Sequence, residues 1–120
     1  MPILNIEIVG PEHGGKHTQS LADAAARILD SKPGGTWVKV QFIPESHYAE
    51  SGELAEGIKP VFVSVLLARC GDQLKLSQMA TELSGAFAKI LGRPQDNIHI
   101  LFEPSAVGRI AFGGRMTTTV

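Results

Sequence analysis

Pro2 is the residue whose position offers this chain the most chemistry. The chain opens Met1-Pro2-Ile3-Leu4-Asn5-Ile6-Glu7-Ile8-Val9. Methionine is usually removed ahead of proline, and removal would leave Pro2 with a free secondary amine at the head of a strand. An α-amino group titrates near ~8 in model peptides. Such a group can take a proton near neutral pH, which an amide nitrogen cannot do. A purely structural reading competes, because proline at the first residue of a strand costs no ladder hydrogen bond.

Other residues offer weaker chemistry. Gly10-Pro11-Glu12-His13-Gly14-Gly15-Lys16-His17 follows a strand, precedes a helix and fits G-x-x-x-x-G-K. A phosphate-cradling loop needs those features, but His17 stands where a Ser or Thr would hold magnesium. An ordinary glycine-rich turn is expected instead. His13 and His17 have helical metal-ligand spacing, but Gly14-Gly15 between them disfavours a continuous helix and no third ligand is evident. Cys70 has no partner cysteine and reads as a structural thiol at a strand end. Arg69 ends an apolar strand. Lys39 and His99 occupy equivalent places in two similar strands, where a lone polar residue ordinarily faces solvent.

The elements that would position these residues come in two similar halves. Alternating Leu4, Ile6 and Ile8 make a strand. Leu21, Ala24, Ala25, Ile28 and Leu29 then fall on one side of a helix, which Pro33-Gly34-Gly35 stops. A second strand runs from about Trp37 to Ile43. The order repeats with Pro60 to Leu67, a helix carrying Leu76, Met79, Ala80, Leu83, Phe87, Ile90 and Leu91, a stop at Gly92-Arg93-Pro94, and a last strand to Phe102. Val38-Lys39-Val40-Gln41-Phe42-Ile43-Pro44 aligns with Ile98-His99-Ile100-Leu101-Phe102-Glu103-Pro104. The expected fold is α+β: two β-α-β repeats, about residues 2–58 and 60–115 of a single domain 1–120. They form a four-stranded mixed sheet with both helices on one face. The polar tails of each half read as loops or short hairpins. Phe62 and Leu66 alternate with Val61, Val63 and Val65, so both sheet faces read as apolar and an oligomer is expected to cover the second one.

Composition limits the alternatives. The 120 residues are 43% hydrophobic and 19% charged, which suits a globular chain with one core. A net charge of −1 supplies no surplus of positive charge for nucleic acid or an anionic membrane. An RNA-binding sheet of similar strand order would need exposed stacking aromatics and basic charge. One cysteine excludes an internal disulfide and makes a cysteine-based zinc site improbable. No apolar stretch reaches the ~18 residues of a membrane span. The opening residues show no basic segment followed by a long apolar run, so a cytoplasmic location is expected.

Together, the initiating Met1-Pro2, the doubled β-α-β plan and the segment from Asn97 to Pro104 followed by Gly108-Arg109-Ile110-Ala111-Phe112-Gly113-Gly114 resemble the tautomerase superfamily. That group includes 4-oxalocrotonate tautomerase, 5-carboxymethyl-2-hydroxymuconate isomerase and macrophage migration inhibitory factor. The resemblance covers nearly the whole chain. It implies a homotrimer with active sites at subunit boundaries, no cofactor and no metal. It also implies a small enol or keto carboxylic acid as substrate. Pro2 is implied as the catalytic base or acid, and Arg69 as a substrate-binding residue. His99 and Lys39 match the strand position of a group that polarises substrate oxygen. Lys32, in Ser31-Lys32-Pro33, resembles a lysine near the site, and Ile110 falls near an apolar or aromatic wall residue. Which of Lys32, Lys39 and His99 line the site stays open. So does decarboxylation or hydrolytic dehalogenation, with Glu103 as a water-activating carboxylate, or a non-catalytic binding or signalling module on the same fold. Two departures stand out. The turn after the first strand carries Pro11-Glu12 rather than arginine. Pro60 is internal and cannot titrate, so one proline site per chain is expected.

Overall fold

The computed structural model describes residues 2–11, 15–52 and 57–118. Six strands and two helices follow in order: β1 (Ile3–Val9), α1 (Thr18–Ile28), β2 (Trp37–Ile43), β3 (Val61–Leu66), α2 (Gln73–Leu91), β4 (Ile98–Phe102), β5 (Ala111–Phe112) and β6 (Arg115–Met116). Four of the strands form one sheet in the order β2-β1-β3-β4. β1 pairs in parallel with β2, and β3 with β4, as crossover helices require. β1 and β3 run antiparallel and join the two units at the centre. The C-terminal strands β5 and β6 form a separate hairpin.

The register follows from side-chain alternation. Leu4, Ile6 and Ile8 of β1 and Val61, Val63 and Val65 of β3 are buried on one face. That face meets Leu21, Ala24 and Ala25 of α1 and Leu83, Phe87, Ala88 and Leu91 of α2. A one-residue slip in any of these strands would turn its whole apolar set away from the helices. Helix α2 has defined ends. The Asp72 carboxylate accepts from the Lys75 N–H at 2.9 Å, and Gly92 closes the helix at φ 68 in the left-handed region. Arg93 is buried and donates to the Lys59 carbonyl at 2.7 Å, tying the end of α2 to the entry of β3.

The other sheet face differs from the expectation that both faces are apolar. Its middle rows hold Asn5, Lys39 and Ser64, then Glu7, Gln41 and Phe62, set by the pairings Asn5↔Lys39, Asn5↔Ser64, Glu7↔Gln41 and Glu7↔Phe62. Large apolar side chains remain on it at Trp37, Phe62 and Leu101, which are 52%, 37% and 61% exposed. The face therefore mixes polar rows with a few large apolar side chains. Reading β3 alone sees Phe62 and Leu66 and misses the polar residues that β1 and β2 add.

Candidate functional site

The start of β1, the entry to β2 and the C-terminal hairpin meet around one cavity. It has a volume of about 300 Å³ and is lined by Pro2, Ile3, Gly34, Gly35, Trp37 and Phe112. Pro2 is buried, and its carbonyl accepts from the Trp37 N–H at 3.0 Å. That bond continues the parallel β1–β2 ladder one step past Ile3↔Trp37 and fixes the proline at the sheet end.

The loop into β2 is shaped by its own residues. The Gly35 N–H donates to the Lys32 carbonyl at 2.8 Å, and Gly34 has φ 76. Pro33 followed by a left-handed Gly34 fits a type II turn. Gly35 admits no side chain, because a Cβ there would lie 2.9 Å from the Lys32 carbonyl oxygen. The Ser31 and Thr36 hydroxyls bond across the base of this loop. The indole Nε1–H of Trp37 donates to the Gly34 carbonyl at 3.1 Å. Its ring meets Phe112 edge-to-face, with centroids 5.5 Å apart and planes at 88°.

Phe112 is held from the far end of the chain. The segment after β4 is laced to the segment after β3: Glu103 N–H to the Val65 carbonyl, Ala106 N–H to Leu67 and Val107 N–H to Ala68, at 2.9–3.0 Å. The Ser105 hydroxyl accepts from the Cys70 N–H at 2.9 Å, and the Cys70 thiol donates to the Glu103 carbonyl. From this base the hairpin returns to Trp37, closed by Thr117 N–H to the Ile110 carbonyl at 2.9 Å.

The residues singled out in the sequence fall in different places. Pro2 lines the cavity. Lys32 is exposed in the turn beside it, joined to the wall through its carbonyl bond to Gly35. Ile110 is half-buried at the base of the hairpin, two residues before the wall residue Phe112. Arg69 is exposed past the end of β3; Ile3 pairs with Leu66, so it lies at the Pro2 end of the sheet but does not line the cavity. Lys39 lies on the uncovered sheet face in a polar hollow with Asn5, Glu7, Gln41 and Ser64. His99 pairs with Phe62, which pairs with Glu7, five residues along β1 from Pro2. At ~3.3 Å per residue that is about 17 Å along the sheet. Its ring packs on Phe62 at 5.5 Å. One chain therefore does not bring His99 to Pro2. Glu103 lies beyond β3 from β1, about 10 Å across two strand spacings. His17 sits at the N-terminus of α1 without a side-chain cap, while Glu12, His13 and Gly14 lie outside the described residues. Among the described residues no group of three or more His, Cys, Asp or Glu is placed to hold a metal ion. No described helix is long and apolar enough to cross a membrane.

Trp37, Phe112, Gly34 and Gly35 line the cavity although the sequence alone marks none of them as a site residue. The signal was present only in part: Gly34-Gly35 marked a turn, and Trp37 opened a strand.

No family model and no curated protein matches the chain. Solved structures do. Native fused 4-OT superposes with a TM-score of 0.80 at 12% identity, covering 95% of this chain and 94% of that one. Pt0534, inactivated by 2-oxo-3-pentynoate, gives 0.79 at 13% identity over 97% and 95%. A macrophage migration inhibitory factor homologue from Prochlorococcus marinus gives 0.69 at 20% identity over 94% and 96%. Full-length coverage, the β2-β1-β3-β4 order and both helices on one face give this chain the same α+β fold as these structures.

Proposed function

We propose that the chain is a cofactor-independent tautomerase that moves a proton within a small enol or keto carboxylic acid, with Pro2 as its general base. The observation that carries this reading is Pro2 buried at the head of β1, in the wall of an apolar cavity. With Met1 removed, its nitrogen is a secondary amine. Burial disfavours the protonated form of an amine, which leaves a base able to act near neutral pH. Pro2 takes the enol O–H proton, the electron pair closes the carbonyl, and the resulting ammonium returns a proton to the carbon end of the conjugated system. The reverse order runs from the keto form.

Arg69, at the same sheet end, supplies a bidentate partner for the substrate carboxylate. Oxygen stabilisation by His99 or Lys39 then comes from a neighbouring copy in a homotrimer. Two observations support that assembly. Phe62 and Leu101 stay exposed on the uncovered sheet face, and a structural neighbour, wild-type fused 4-OT, is described as a symmetric trimer.

The test is ketonisation of phenylpyruvate and of 2-hydroxymuconate. Pro2→Ala is expected to lower kcat/KM by about 10²-fold or more. Inserting one alanine between Met1 and Pro2, which makes the proline nitrogen an amide, should abolish the activity. The alkyne of 2-oxo-3-pentynoate, the compound that inactivates Pt0534, is conjugated to a ketone and accepts an amine. Peptide mass spectrometry should find the adduct on Pro2. Undiminished activity in the insertion variant would sink the proposal.

A further inference from the structure

From the cavity wall we infer that Trp37 and Phe112 form a preset aromatic slot that determines specificity, so that the site prefers acids bearing a flat apolar substituent over dicarboxylates. The inference rests on the functional reading above and names the substrate class of that same site.

Three observations lead to it. The first is the lining. Pro2, Ile3, Gly34, Gly35, Trp37 and Phe112 bring no ionisable side chain into the cavity. A second carboxylate placed there would lose water without gaining a charged partner, which is costly. An aryl ring would instead exchange water for apolar surface that includes both rings. The volume of about 300 Å³ is at the lower end for small-molecule sites.

The second is that the indole is fixed. Its one polar group, Nε1–H, is held by the Gly34 carbonyl at 3.1 Å. The edge-to-face contact with Phe112 at 5.5 Å sets the adjoining wall, so the two rings meet at a corner of the cavity. Neither ring has a polar atom left to direct at a substrate. Their role is therefore selection of the substituent, while the proton is moved at Pro2.

The third is that the Phe112 wall is bolted down. Gly108 N–H bonds to the Thr117 carbonyl at 2.6 Å and Arg109 N–H to Ala106 at 2.8 Å, above the Ala106–Leu67 and Val107–Ala68 bonds at its base. The Arg109 guanidinium also bonds the Ser105 carbonyl at 3.2 Å. A wall held at both ends of its hairpin exists before substrate arrives, so little ordering cost falls on binding.

Trp37 is the sole tryptophan of the chain, so its fluorescence reads the slot directly and independently of turnover. The purified full chain is titrated with 3-phenylpropanoate and with hexanedioate, neither of which can tautomerise. The expected result is a saturable change with 3-phenylpropanoate at a Kd at least tenfold below that for hexanedioate. Phe112→Ala should raise the 3-phenylpropanoate Kd at least tenfold. Phe112→Leu, which keeps apolar volume and loses the ring, should raise it by less while leaving the hexanedioate Kd unchanged. Calorimetric titration supplies the same constants free of any change in Trp37 emission caused by the substitution. Equal or tighter binding of hexanedioate, or a 3-phenylpropanoate Kd indifferent to Phe112, overturns the inference. The same titration on Pro2→Ala separates the two readings. If binding selectivity persists while activity never depended on Pro2, the catalytic reading fails and the slot stands. If activity requires Pro2 and selectivity is absent, the slot fails alone.

Discussion

At the scale of single residues, Gly35 shows how little room the site has. A methyl group there would meet the Lys32 carbonyl oxygen at 2.9 Å, and the obstacle is backbone rather than a side-chain end that can swing aside. Gly35→Ala is expected to open the turn, cost roughly 1–3 kcal/mol of stability and displace the wall against Pro2. Urea unfolding and kcat/KM should fall together, and an unchanged midpoint would show that the turn is not held this way. Tyr48 gives a second residue-level expectation. Its hydroxyl donates to the Glu50 carboxylate, and this bond, with the carboxylate's charge, raises the phenol above its ordinary value of 10.0. A raised folded value means that this contribution is complete below the unfolded pKa and is lost as pH rises through the folded one. Tyr48 is the only tyrosine, so absorbance at alkaline pH follows it alone, and Glu50→Gln should bring its titration down toward the ordinary value. The same scale explains what the sequence revealed of the site. Pro2 can be proposed from the sequence because a free proline amine depends on chain position alone. Trp37 and Phe112 cannot, because an aromatic residue in a strand matches a core residue until a distant hairpin is seen packing on it. The placing of His99 and Lys39 needed the register of three strands, which no local pattern contains.

At the scale of elements, the helices and strands were readable because each obeys one period over its whole length. Leu83, Phe87 and Leu91 recur every four residues and are buried, while β3 alternates through Val61, Val63 and Val65. Helix α2 nevertheless begins at Gln73, earlier than its apolar face, because its start is set by a cap. Asp72 accepts the Lys75 N–H, satisfying a donor that the first turn cannot pair internally. Asp72→Ala should therefore cost about 1 kcal/mol, read as a lower urea midpoint at unchanged m-value. Asp72→Asn, which keeps an acceptor, should recover most of it. Equal losses in both variants would mean that charge rather than the capping bond matters. The character of the uncovered face was not legible, because it is a property of a sheet. Asn5 and Glu7 on β1 and Lys39 and Gln41 on β2 come together only through pairing.

At the scale of the whole molecule, the arrangement of Pro2 and His99 makes a statement about assembly. Along the sheet they are about 17 Å apart, and the two strand spacings between β1 and β4 add about 10 Å sideways. No imidazole spans that gap, so any service His99 gives to proton transfer at Pro2 must cross from one copy to another. A closed ring of three identical copies makes every such crossing equivalent. Pro2→Ala and His99→Ala chains are each expected to form trimers of low activity, because each removes one half of every site. Unfolded together in equal amounts and refolded, they assemble at random. A site then works where a chain with native Pro2 faces a neighbour with native His99, which is about a quarter of all sites. Sedimentation velocity should give the same trimer for parents and mixture, while the mixture should recover about a quarter of wild-type kcat per site. Activity equal to the mean of the two parents would place His99 outside the site altogether and leave Lys39 as the group to pair with Pro2→Ala in the same design.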